Sequence, residues 1–371
     1  MKISNKRLGL LGGGQLGMYF CIAAKNMGYQ ITLLDPNKSC PASKYSDLHI
    51  ATDFDDEEGV NKLISNSDRV TLEFENVPIE TMELIRNENV KCIPDLNALK
   101  ICQNRLLEKK FFENLGIETT FINETKDFDE SNFKPIIFKT KSQGYDGKGQ
   151  IRCNSYNEFK QVVEKIDLEN YIVERYVENL DQEVSVIVSV NDGVVSLVSL
   201  NLNFHKNGIL CETYSLQITE NKIYIELIKL TKKITKKLNY SGVLCVEFFI
   251  TTNGKIIANE MAPRPHNSGH HTLDSTFYSQ FDFQLFNLIG VSKENFSFCS
   301  AGMLNILGQH YSSVEKNWNK LLGVSGIKKY LYGKLSSSDN RKMGHINVIG
   351  ENYKDVFSKI KSLKKILNYE E

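Results

Sequence analysis

The feature that most constrains the fold is a glycine-rich turn near the start of the chain, Gly12-Gly13-Gly14-Gln15-Leu16-Gly17. It follows an apolar run at 8–11 and begins an amphipathic stretch at 15–27, and a second apolar run at 30–34 ends at Asp35. This alternation of strand-like and helix-like segments predicts a parallel sheet with crossover helices. Small residues at such a turn let backbone amides approach an anion at the helix N-terminus. The match to G-x-G-x-x-G with a downstream acid leaves three interpretations open: a dinucleotide such as NAD, another phosphate, or close packing of helix on strand.

The chain is too long for one ordinary hydrophobic core, since it has 371 residues and a mass of 42.3 kDa. Lysine and arginine total 45, as do aspartate and glutamate, which disfavours a nucleic-acid protein that relies on bulk basicity. No apolar run approaches the roughly 20 residues of a transmembrane helix. Residues 1–7 lead into a strand without a signal-peptide core, and the eight cysteines show no C-x-x-C spacing. We therefore expect a multidomain, soluble, cytoplasmic protein with reduced thiols.

A second glycine-rich segment, 142–150, reads Ser-Gln-Gly-Tyr-Asp-Gly-Lys-Gly-Gln. It joins two segments that we predict to be antiparallel strands, and it lacks the G-x-x-x-x-G-K-[ST] order of a P-loop. Glycines around a lysine at a hairpin tip suit a mobile flap whose amides close over triphosphate oxygens. Lys139, on the preceding strand, could neutralise an inner phosphate. The alternative is an ordinary flexible tip with a surface lysine, which the combination of strand, lysine and loop disfavours.

Two glutamates are predicted to face each other in a later hairpin around Asn253-Gly254. If these two residues form the loop, Glu247 lies directly opposite Glu260 among apolar neighbours. Like charges in that relation are destabilising, whereas a hard divalent cation such as Mg²⁺, carrying phosphate oxygens, would bind both carboxylates. The alternatives are an exposed pair or a register shifted by one residue. We interpret the pair as a metal site, on condition that the register holds.

An irregular loop follows this hairpin and carries Arg264, His266, Asn267 and Ser268 beside the predicted metal site. A rigid arginine fork suits bidentate binding of an oxyanion. Histidines at 266, 270 and 271 could indicate zinc, but they stand in one loop without an added cysteine partner, so we expect no zinc site.

Other segments indicate a function less specifically. The strand at 171–177 resembles a hinge whose backbone could bind an adenine edge, with Glu183 beyond it for ribose hydroxyls, and Arg341-Lys342 form a basic cluster suited to a phosphate monoester. From the residues alone, the first is equally an ordinary strand and the second a solvated turn. The pattern also predicts one helix over 97–114, a hairpin at Asn191-Asp192-Gly193 and a final helix over 353–367, with no strong pattern in most of the last part of the chain.

In this order the segments resemble the ATP-grasp superfamily: a doubly wound front domain, a strand lysine, a glycine-rich flap, a hinge with a glutamate and paired metal-binding glutamates. Within it, the chain resembles the 5-(carboxyamino)imidazole ribonucleotide synthetases of purine biosynthesis. The resemblance spans nearly the whole chain and rests on the runs at 12–17, 73–76 (Glu-Phe-Glu-Asn), 144–150, 259–270 and 341–345. One departure is Met261, where the family is expected to have isoleucine or leucine.

The resemblance implies an α/β and α+β multidomain fold. Its parts would be an N-terminal doubly wound (Rossmann-like) substrate-binding pre-ATP-grasp domain at 1–106, an ATP-grasp domain at 107–297 with a flap subdomain at 120–180, and a small C-terminal domain at 298–371. The implied activity is that of an ATP-dependent carbon–nitrogen ligase. It would carboxylate 5-aminoimidazole ribonucleotide with ATP and bicarbonate through carboxyphosphate, releasing ADP and phosphate. Mg²⁺ or Mn²⁺ would be the metal, and the form would be a cytoplasmic homodimer without nucleic-acid or membrane partners.

The resemblance also implies roles for individual residues. Those expected to bind ATP and its metal are Arg105, Lys139, Gly144, Tyr145, Asp146, Gly147, Lys148, Gly149, Gln150, Glu174, Arg175, Tyr176, Val177, Glu183, His205, Asn259 and Glu260, with Glu247 and Glu260 as metal ligands. Those expected to bind the ribonucleotide are Gln15, Leu16, Glu75, Tyr145, Asp146, Arg341 and Lys342. Those expected to orient bicarbonate and act in catalysis are Arg264, His266, Asn267, Ser268 and Lys342.

Three other functions stay open. Another ATP-grasp enzyme that activates a carboxylate, such as a formate-dependent glycinamide ribonucleotide transformylase or a biotin carboxylase, would differ in its carboxylate or in its chain length and flap. An NAD-dependent oxidoreductase would rest only on the first glycine-rich turn. A catalytically inactive ATP-binding protein is disfavoured because Lys139, Glu247, Glu260 and Arg264 are all present.

Overall fold

The computed structural model describes residues 6–122, 130–142, 144, 149–217, 221–294, 296–297 and 299–369. Its N-terminal strands are β1 (Arg7–Leu11), β2 (Gln30–Leu34), β3 (Leu48–Ile50), β4 (Arg69–Leu72) and β5 (Lys91–Ile93), and its first helices are α1 (Gln15–Asn26), α2 (Glu57–Ser65) and α3 (Ile79–Asn87). The strands form a parallel sheet in the order β3-β2-β1-β4-β5. This confirms the parallel sheet with crossover helices that the alternating sequence pattern predicts.

The single helix predicted over 97–114 is wrong, because Asn104 divides it into α4 (Leu96–Gln103) and α5 (Arg105–Asn114). Asn104 has an extended backbone, and its side chain accepts hydrogen bonds from the amides of Leu106 and Leu107. Asparagine is a favoured residue at this capping position. The break matters for the site described below, because it starts a new helix at Arg105.

A small antiparallel sheet comes next. Its strands are β6 (Phe121–Ile122), β7 (Ile136–Thr140), β8 (Gln150–Cys153) and β9 (Tyr171–Arg175), in the order β6-β9-β7-β8, with α6 (Tyr156–Val163) beside them. β7 and β8 pair antiparallel, as predicted for the second glycine-rich segment. Within that segment, Gln143, Tyr145, Asp146, Gly147 and Lys148 lie outside the described residues, so their roles in a flap stay predictions.

An antiparallel sheet of eight strands forms the centre of the molecule. The strands are β10 (Leu180–Asn191), β11 (Val194–Lys206), β12 (Ile209–Ser215), β13 (Gly242–Thr251), β14 (Ile256–Ala262), β15 (Ser300–Leu307), β16 (Ile327–Leu331) and β17 (Lys342–Gly350). The helices that accompany them are α7 (Lys222–Leu238), α8 (Thr272–Ser275), α9 (Gln280–Ile289), α10 (Tyr311–Lys316), α11 (Trp318–Leu322) and α12 (Tyr353–Ile366). The strand order is β14-β13-β10-β11-β12-β15-β17-β16, so the C-terminal strands extend the central sheet.

The predicted hairpin between β10 and β11 is confirmed, and its loop has two residues. Asn191 pairs with Val194, and the two residues between them, Asp192 and Gly193, have φ angles of 48° and 77°. Positive φ at both central residues is the requirement of a type I′ turn.

The sequence pattern does not reveal β15 and β17, because nearly all of their residues are buried and polar ones stand among the apolar ones. All residues of β15 are buried, so it lacks the alternation of a half-exposed strand. Its Asn305 donates to the carbonyl of Leu210 at 2.7 Å, and Asn347 of β17 donates to the carbonyl of His270 at 2.9 Å. These hydrogen bonds offset the cost of burying polar side chains.

A shared core holds the N-terminal sheet against the central sheet. α1 packs on α9, and the ring centroids of Tyr19 and Phe281 are 5.2 Å apart. Gln284 on α9 donates to the hydroxyl of Thr71 on β4 at 2.7 Å. These contacts fix the position of a cavity between the two sheets. The domain boundaries given above remain predictions.

In the described ranges, no helix is both long and apolar enough to span a bilayer. All eight cysteines are thiols without disulfide partners.

Candidate active site

A cavity of about 560 Å³ lies where the N-terminal sheet, the central strands and the C-terminal strands meet. The predicted site residues that line it are Gln15, Leu16, Glu75, Arg105, Gly144, Glu260, Arg264, His266, Asn267, Arg341 and Lys342. Other polar residues line it without a predicted role: Glu73, Asn76, Gln103, Glu108, Lys334 and Asn340. The fold therefore gathers side chains from distant parts of the sequence around one space.

The first glycine-rich turn holds carboxylates of the chain itself. The amide of Gly13 donates to Asp35 Oδ2 at 2.7 Å, and the amide of Gly14 donates to Glu73 Oε1 at 2.7 Å. A methyl group added to Gly14 would stand 2.7 Å from the same Glu73 oxygen. The amides that would hold a pyrophosphate are thus occupied, so the NAD-binding interpretation of this turn is wrong.

The hairpin between β13 and β14 differs from its prediction in two ways that cancel. Thr251 pairs with Lys255, so the loop has three residues rather than two, and Gly254 adopts a φ of 78°. Further along, Phe248 pairs with Ala258 whereas Val246 pairs with Met261. Between these pairs a bulge sets two residues of β14 against one of β13. The bulge restores the predicted register, so Glu247 faces Asn259 and Glu260.

The two carboxylates form the donor set that a hard cation requires. Burial and the adjacent Glu260 charge raise the pKa of Glu247 to about 7. Arg105 Nη2 is 3.8 Å from Glu260 Oε2. Within the part of the chain that the structure describes, Asn259 Oδ1 is buried without a hydrogen-bond partner, which adds a third oxygen at the bulge. These donors fit Mg²⁺, which prefers oxygen ligands.

Two adjacent buried residues of α5 hold the backbone on both sides of Glu260. Lys109 Nζ donates to the carbonyl of Asn259 at 2.5 Å, and the amide of Met261 donates to Glu108 Oε1 at 2.6 Å. β14 is the edge strand of the sheet, so these groups would otherwise lack a strand partner. Burial raises the pKa of Glu108. The sequence gives no signal for this arrangement, since the paired residues are about 150 positions apart.

The predicted ATP-binding residues Lys139 and Glu174 form a buried ion pair. Lys139 Nζ lies 2.9 Å from Glu174 Oε2, Lys109 Nζ lies 3.4 Å from Glu174 Oε1, and the Thr120 hydroxyl donates to Glu174 at 2.6 Å. Although burial opposes ionisation, Lys109 and Lys139 hold the pKa of Glu174 down at about 2. Lys109 thus connects the β9 strand end to the bulge at Glu260.

The loop after β14 is held by polar contacts to two other elements. Arg264 Nη2 donates to Glu75 Oε1 at 2.8 Å, which ties the loop to the segment after β4. His266 Nδ1 lies 2.9 Å from Ser268 Oγ, and Ser268 Oγ lies 2.8 Å from Ser185 Oγ on β10. Burial and Arg264 lower the pKa of His266, so the ring is neutral. In the described part of the chain, neither polar side-chain atom of Asn267 has a hydrogen-bond partner.

The remaining predicted nucleotide-binding residues lie outside the lining of the cavity. Glu183 forms a close contact with His205 Nδ1 across β10 and β11, and although burial opposes it, Glu183 raises the pKa of His205. Tyr176 packs under the guanidinium of Arg152, 4.1 Å from the ring centre, and Val177 follows β9. Further residues of this set are Gly149, Gln150 and Arg175; the amide of Arg175 donates to the carbonyl of Thr120 at 2.7 Å.

The basic side of the cavity contains one lysine that the sequence analysis missed. Lys334 Nζ donates to Gln15 Oε1 at 3.1 Å and to the carbonyl of Lys342 at 2.7 Å. It therefore links the N-terminal glycine-rich turn to the C-terminal basic cluster. Arg341 is fixed by hydrogen bonds of 2.8 Å to the carbonyl and hydroxyl of Ser336. Lys334 lies in no recognisable sequence motif, so only the folded structure shows that it belongs to the cavity wall.

Three family models match consecutive parts of the chain. They are the ribonucleotide synthetase preATP-grasp domain over 5–103, the ATP-grasp domain over 111–281 and the phosphoribosylaminoimidazole carboxylase C-terminal domain over 301–359. The chain is 34% identical over 351 residues to the N5-carboxyaminoimidazole ribonucleotide synthase of Staphylococcus aureus strain MRSA252, covering 92% of each. The chain belongs to the N5-carboxyaminoimidazole ribonucleotide synthase family. It is also 35% identical over 348 residues to the Bacillus subtilis strain 168 synthase, covering 91% of this chain and 90% of that one.

Solved structures of synthases from this family share the whole fold. The Staphylococcus aureus enzyme complexed with ADP matches with a TM-score of 0.89 at 30% identity, covering 98% of this chain and 97% of that one. The Aspergillus clavatus enzyme in complex with ADP and 5-aminoimidazole ribonucleotide matches with a TM-score of 0.87 at 26% identity, covering 98% and 99%. The predicted three-part architecture of the family is thereby confirmed.

Proposed function

We propose that this chain catalyses the ATP- and bicarbonate-dependent carboxylation of 5-aminoimidazole ribonucleotide to N5-carboxyaminoimidazole ribonucleotide in purine biosynthesis, releasing ADP and phosphate. The observation that carries the proposal is a cavity lined by Arg105 and Glu260 on one side and by Gln15, Arg341 and Lys342 on the other. An acidic, cation-binding wall and a basic wall suit a nucleoside triphosphate and a phosphate monoester that must react together.

ATP and Mg²⁺ are assigned to the β13–β14 side of the cavity. Glu247 and Glu260 would hold Mg²⁺, with the amide oxygen of Asn259 nearby, and the metal would neutralise charge on the transferred phosphoryl group. Arg105 and Lys139 would contact the phosphates, and the flap at 144–150 would close over them. The strand end at 174–177 would bind adenine, with Glu183 and His205 at the ribose.

Bicarbonate is assigned to the loop after β14. Arg264 offers a guanidinium at the cavity wall, and the buried polar atoms of Asn267 have no partner among the described residues, so both could bind a small oxyanion. A bicarbonate oxygen would attack the γ-phosphorus while the bond from phosphorus to the bridging oxygen of ADP breaks, giving carboxyphosphate. His266 and Ser268 would orient the anion.

The ribonucleotide is assigned to the opposite wall, where Arg341 and Lys342 would bind its phosphate and Gln15, Leu16 and Glu75 its remaining groups. Tyr145 and Asp146 of the flap would complete the pocket. The amine would attack the carboxyl carbon of carboxyphosphate, or CO₂ released from it, phosphate would leave and the amine would lose a proton. A flap closed over the cavity would protect carboxyphosphate from water.

The direct test is phosphate release from Mg·ATP and bicarbonate with and without 5-aminoimidazole ribonucleotide. We expect strong stimulation by the ribonucleotide. Stimulation by another amine or by formate instead would favour a different carboxylate-activating ATP-grasp enzyme and overturn the substrate. A homodimer and a cytoplasmic location are also part of the proposal, and sedimentation velocity and cell fractionation would test them.

A further inference from the structure

Three side chains of different chemistry meet at Glu247, one member of the carboxylate pair. Cys245 and Glu247 are two residues apart on β13, so they point to the same face of the strand, and His266 reaches them from the loop after β14. One ligand atom of each, a thiol sulfur, a carboxylate oxygen and a ring nitrogen, lies within 4.8 Å of the other two. The sequence alone does not predict this cluster of three side chains, because the cysteine comes well before the histidine-containing loop.

The histidine ring is held in place by Ser268 and directs Nε2 toward Glu247. Its Nδ1 lies 2.9 Å from the Ser268 hydroxyl and accepts from the Ser268 amide at 3.4 Å, while its Nε2 lies 3.4 Å from Glu247 Oε1. A histidine that binds a metal through one nitrogen usually donates a hydrogen bond from the other, so on binding a metal at Nε2 the ring would carry its proton at Nδ1 and donate it to the Ser268 hydroxyl. Tetrahedral Zn²⁺ separates its nitrogen, oxygen and sulfur ligands by about 3.4 to 3.6 Å. The His266–Glu247 distance meets that requirement, and the sulfur, which lies within 4.8 Å of the other two ligand atoms, would approach each of them by at most about 1.4 Å.

We propose that Cys245, Glu247 and His266 form a binding site for a thiophilic divalent cation of the Zn²⁺ class. Sulfur, nitrogen and oxygen donors select Zn²⁺ over Mg²⁺, which prefers oxygen ligands. The thiol would release its proton to solvent as the sulfur–metal bond forms, and water would fill the fourth position. This proposal departs from the expectation of no zinc site, which considered the three histidines of the loop, because the fold places a cysteine beside His266.

The site shares two residues with the proposed reaction. Zn²⁺ bound there would take Glu247 from Mg²⁺ and would turn His266 from bicarbonate, so it would inhibit carboxylation. The other two histidines of the loop contact other residues: His271 is hydrogen-bonded to Ser275 and Asn201, and the centroid of the His270 ring lies 4.6 Å from that of His345. The inhibition rests on the proposed function, whereas the binding of the metal does not.

The test is titration of the full-length chain with Co²⁺ as a spectroscopic substitute for Zn²⁺, without nucleotides. We expect a near-ultraviolet thiolate-to-cobalt charge-transfer band that saturates at one equivalent and that Zn²⁺ abolishes. Cys245→Ser should remove the band, and His266→Gln should weaken Co²⁺ binding at least tenfold. Cys211→Ser, a change at another buried thiol, should leave the band intact.

Each result of these titrations either supports or overturns the proposed metal site. A wild-type chain without the band, or a band that persists in Cys245→Ser, overturns the proposal. If Cys245→Ser fails to fold by circular dichroism, the His266→Gln titration decides, and unchanged Co²⁺ affinity in that variant overturns the site. A Co²⁺ band in a chain without ribonucleotide-dependent activity would contradict the proposed function and keep the metal site. Ribonucleotide-dependent activity without the Co²⁺ band would support the proposed function and overturn the metal site.

Discussion

Replacement of Lys109 by methionine tests the buried network behind the carboxylate pair. The lysine is 1% exposed, lies 3.4 Å from Glu174 and donates to the carbonyl of Asn259 at 2.5 Å. Removing one partner of a buried ion pair costs about 3 to 5 kcal/mol. Because Lys139 still compensates Glu174, we expect the free energy of unfolding to fall by about 3 kcal/mol, the lower end of that range.

The neighbouring Lys110 provides a matched control, because it is exposed on the same helix. Lys110→Met should change the free energy of unfolding by no more than about 0.5 kcal/mol. Urea unfolding followed by circular dichroism measures both variants. Adding Glu174→Gln to Lys109→Met should lower the free energy of unfolding further, since it leaves the buried ammonium of Lys139 without its ion-pair partner. Equal stability of Lys109→Met and Lys110→Met would refute the network as a source of stability.

Other predictions concern the reaction. Glu260→Gln should abolish phosphate release with unchanged circular dichroism, because it removes metal-binding charge; activity near wild type would contradict the metal assignment. Lys342→Ala should raise the KM for the ribonucleotide far more than the KM for ATP. Unchanged KM values for both substrates would contradict binding of the ribonucleotide by the basic cluster. Mg²⁺ binds the ionised form of Glu247, whose pKa is raised to about 7, so Mg²⁺ affinity measured by calorimetry should fall as the pH drops from 8 to 6. Equal affinity at both pH values would contradict a role for Glu247.

The sequence predicts the residues of the site better than the local geometry that positions them. Glu247 and Glu260 do lie beside each other, although through a bulge rather than as a regular pair, and the loop at Gly254 has one residue more than predicted. A bulge opposite Glu247 compensates for that residue, and the choice between a two-residue and a three-residue loop depends on contacts made along the whole strand. A local turn motif does not contain that information.

Contacts between distant segments are the second feature that the sequence does not predict. Glu108 and Lys109 read as two charged residues in a helix, and only the fold shows that both are buried against the edge of β14. Asn104 likewise reads as a helix surface residue, whereas it caps α5. Buried polar residues such as Asn305 hide the C-terminal strands, since their burial depends on partners far away in sequence.

The origin of the phosphate oxygen tests the central claim most directly. Phosphate released from Mg·ATP would be analysed by mass spectrometry after reaction with freshly dissolved ¹⁸O-bicarbonate and 5-aminoimidazole ribonucleotide. If a bicarbonate oxygen attacks the γ-phosphorus at this site, each phosphate carries one ¹⁸O atom, and none appears when unlabelled bicarbonate is used. Phosphate that forms only with the ribonucleotide present but carries no bicarbonate oxygen would contradict carboxyphosphate formation.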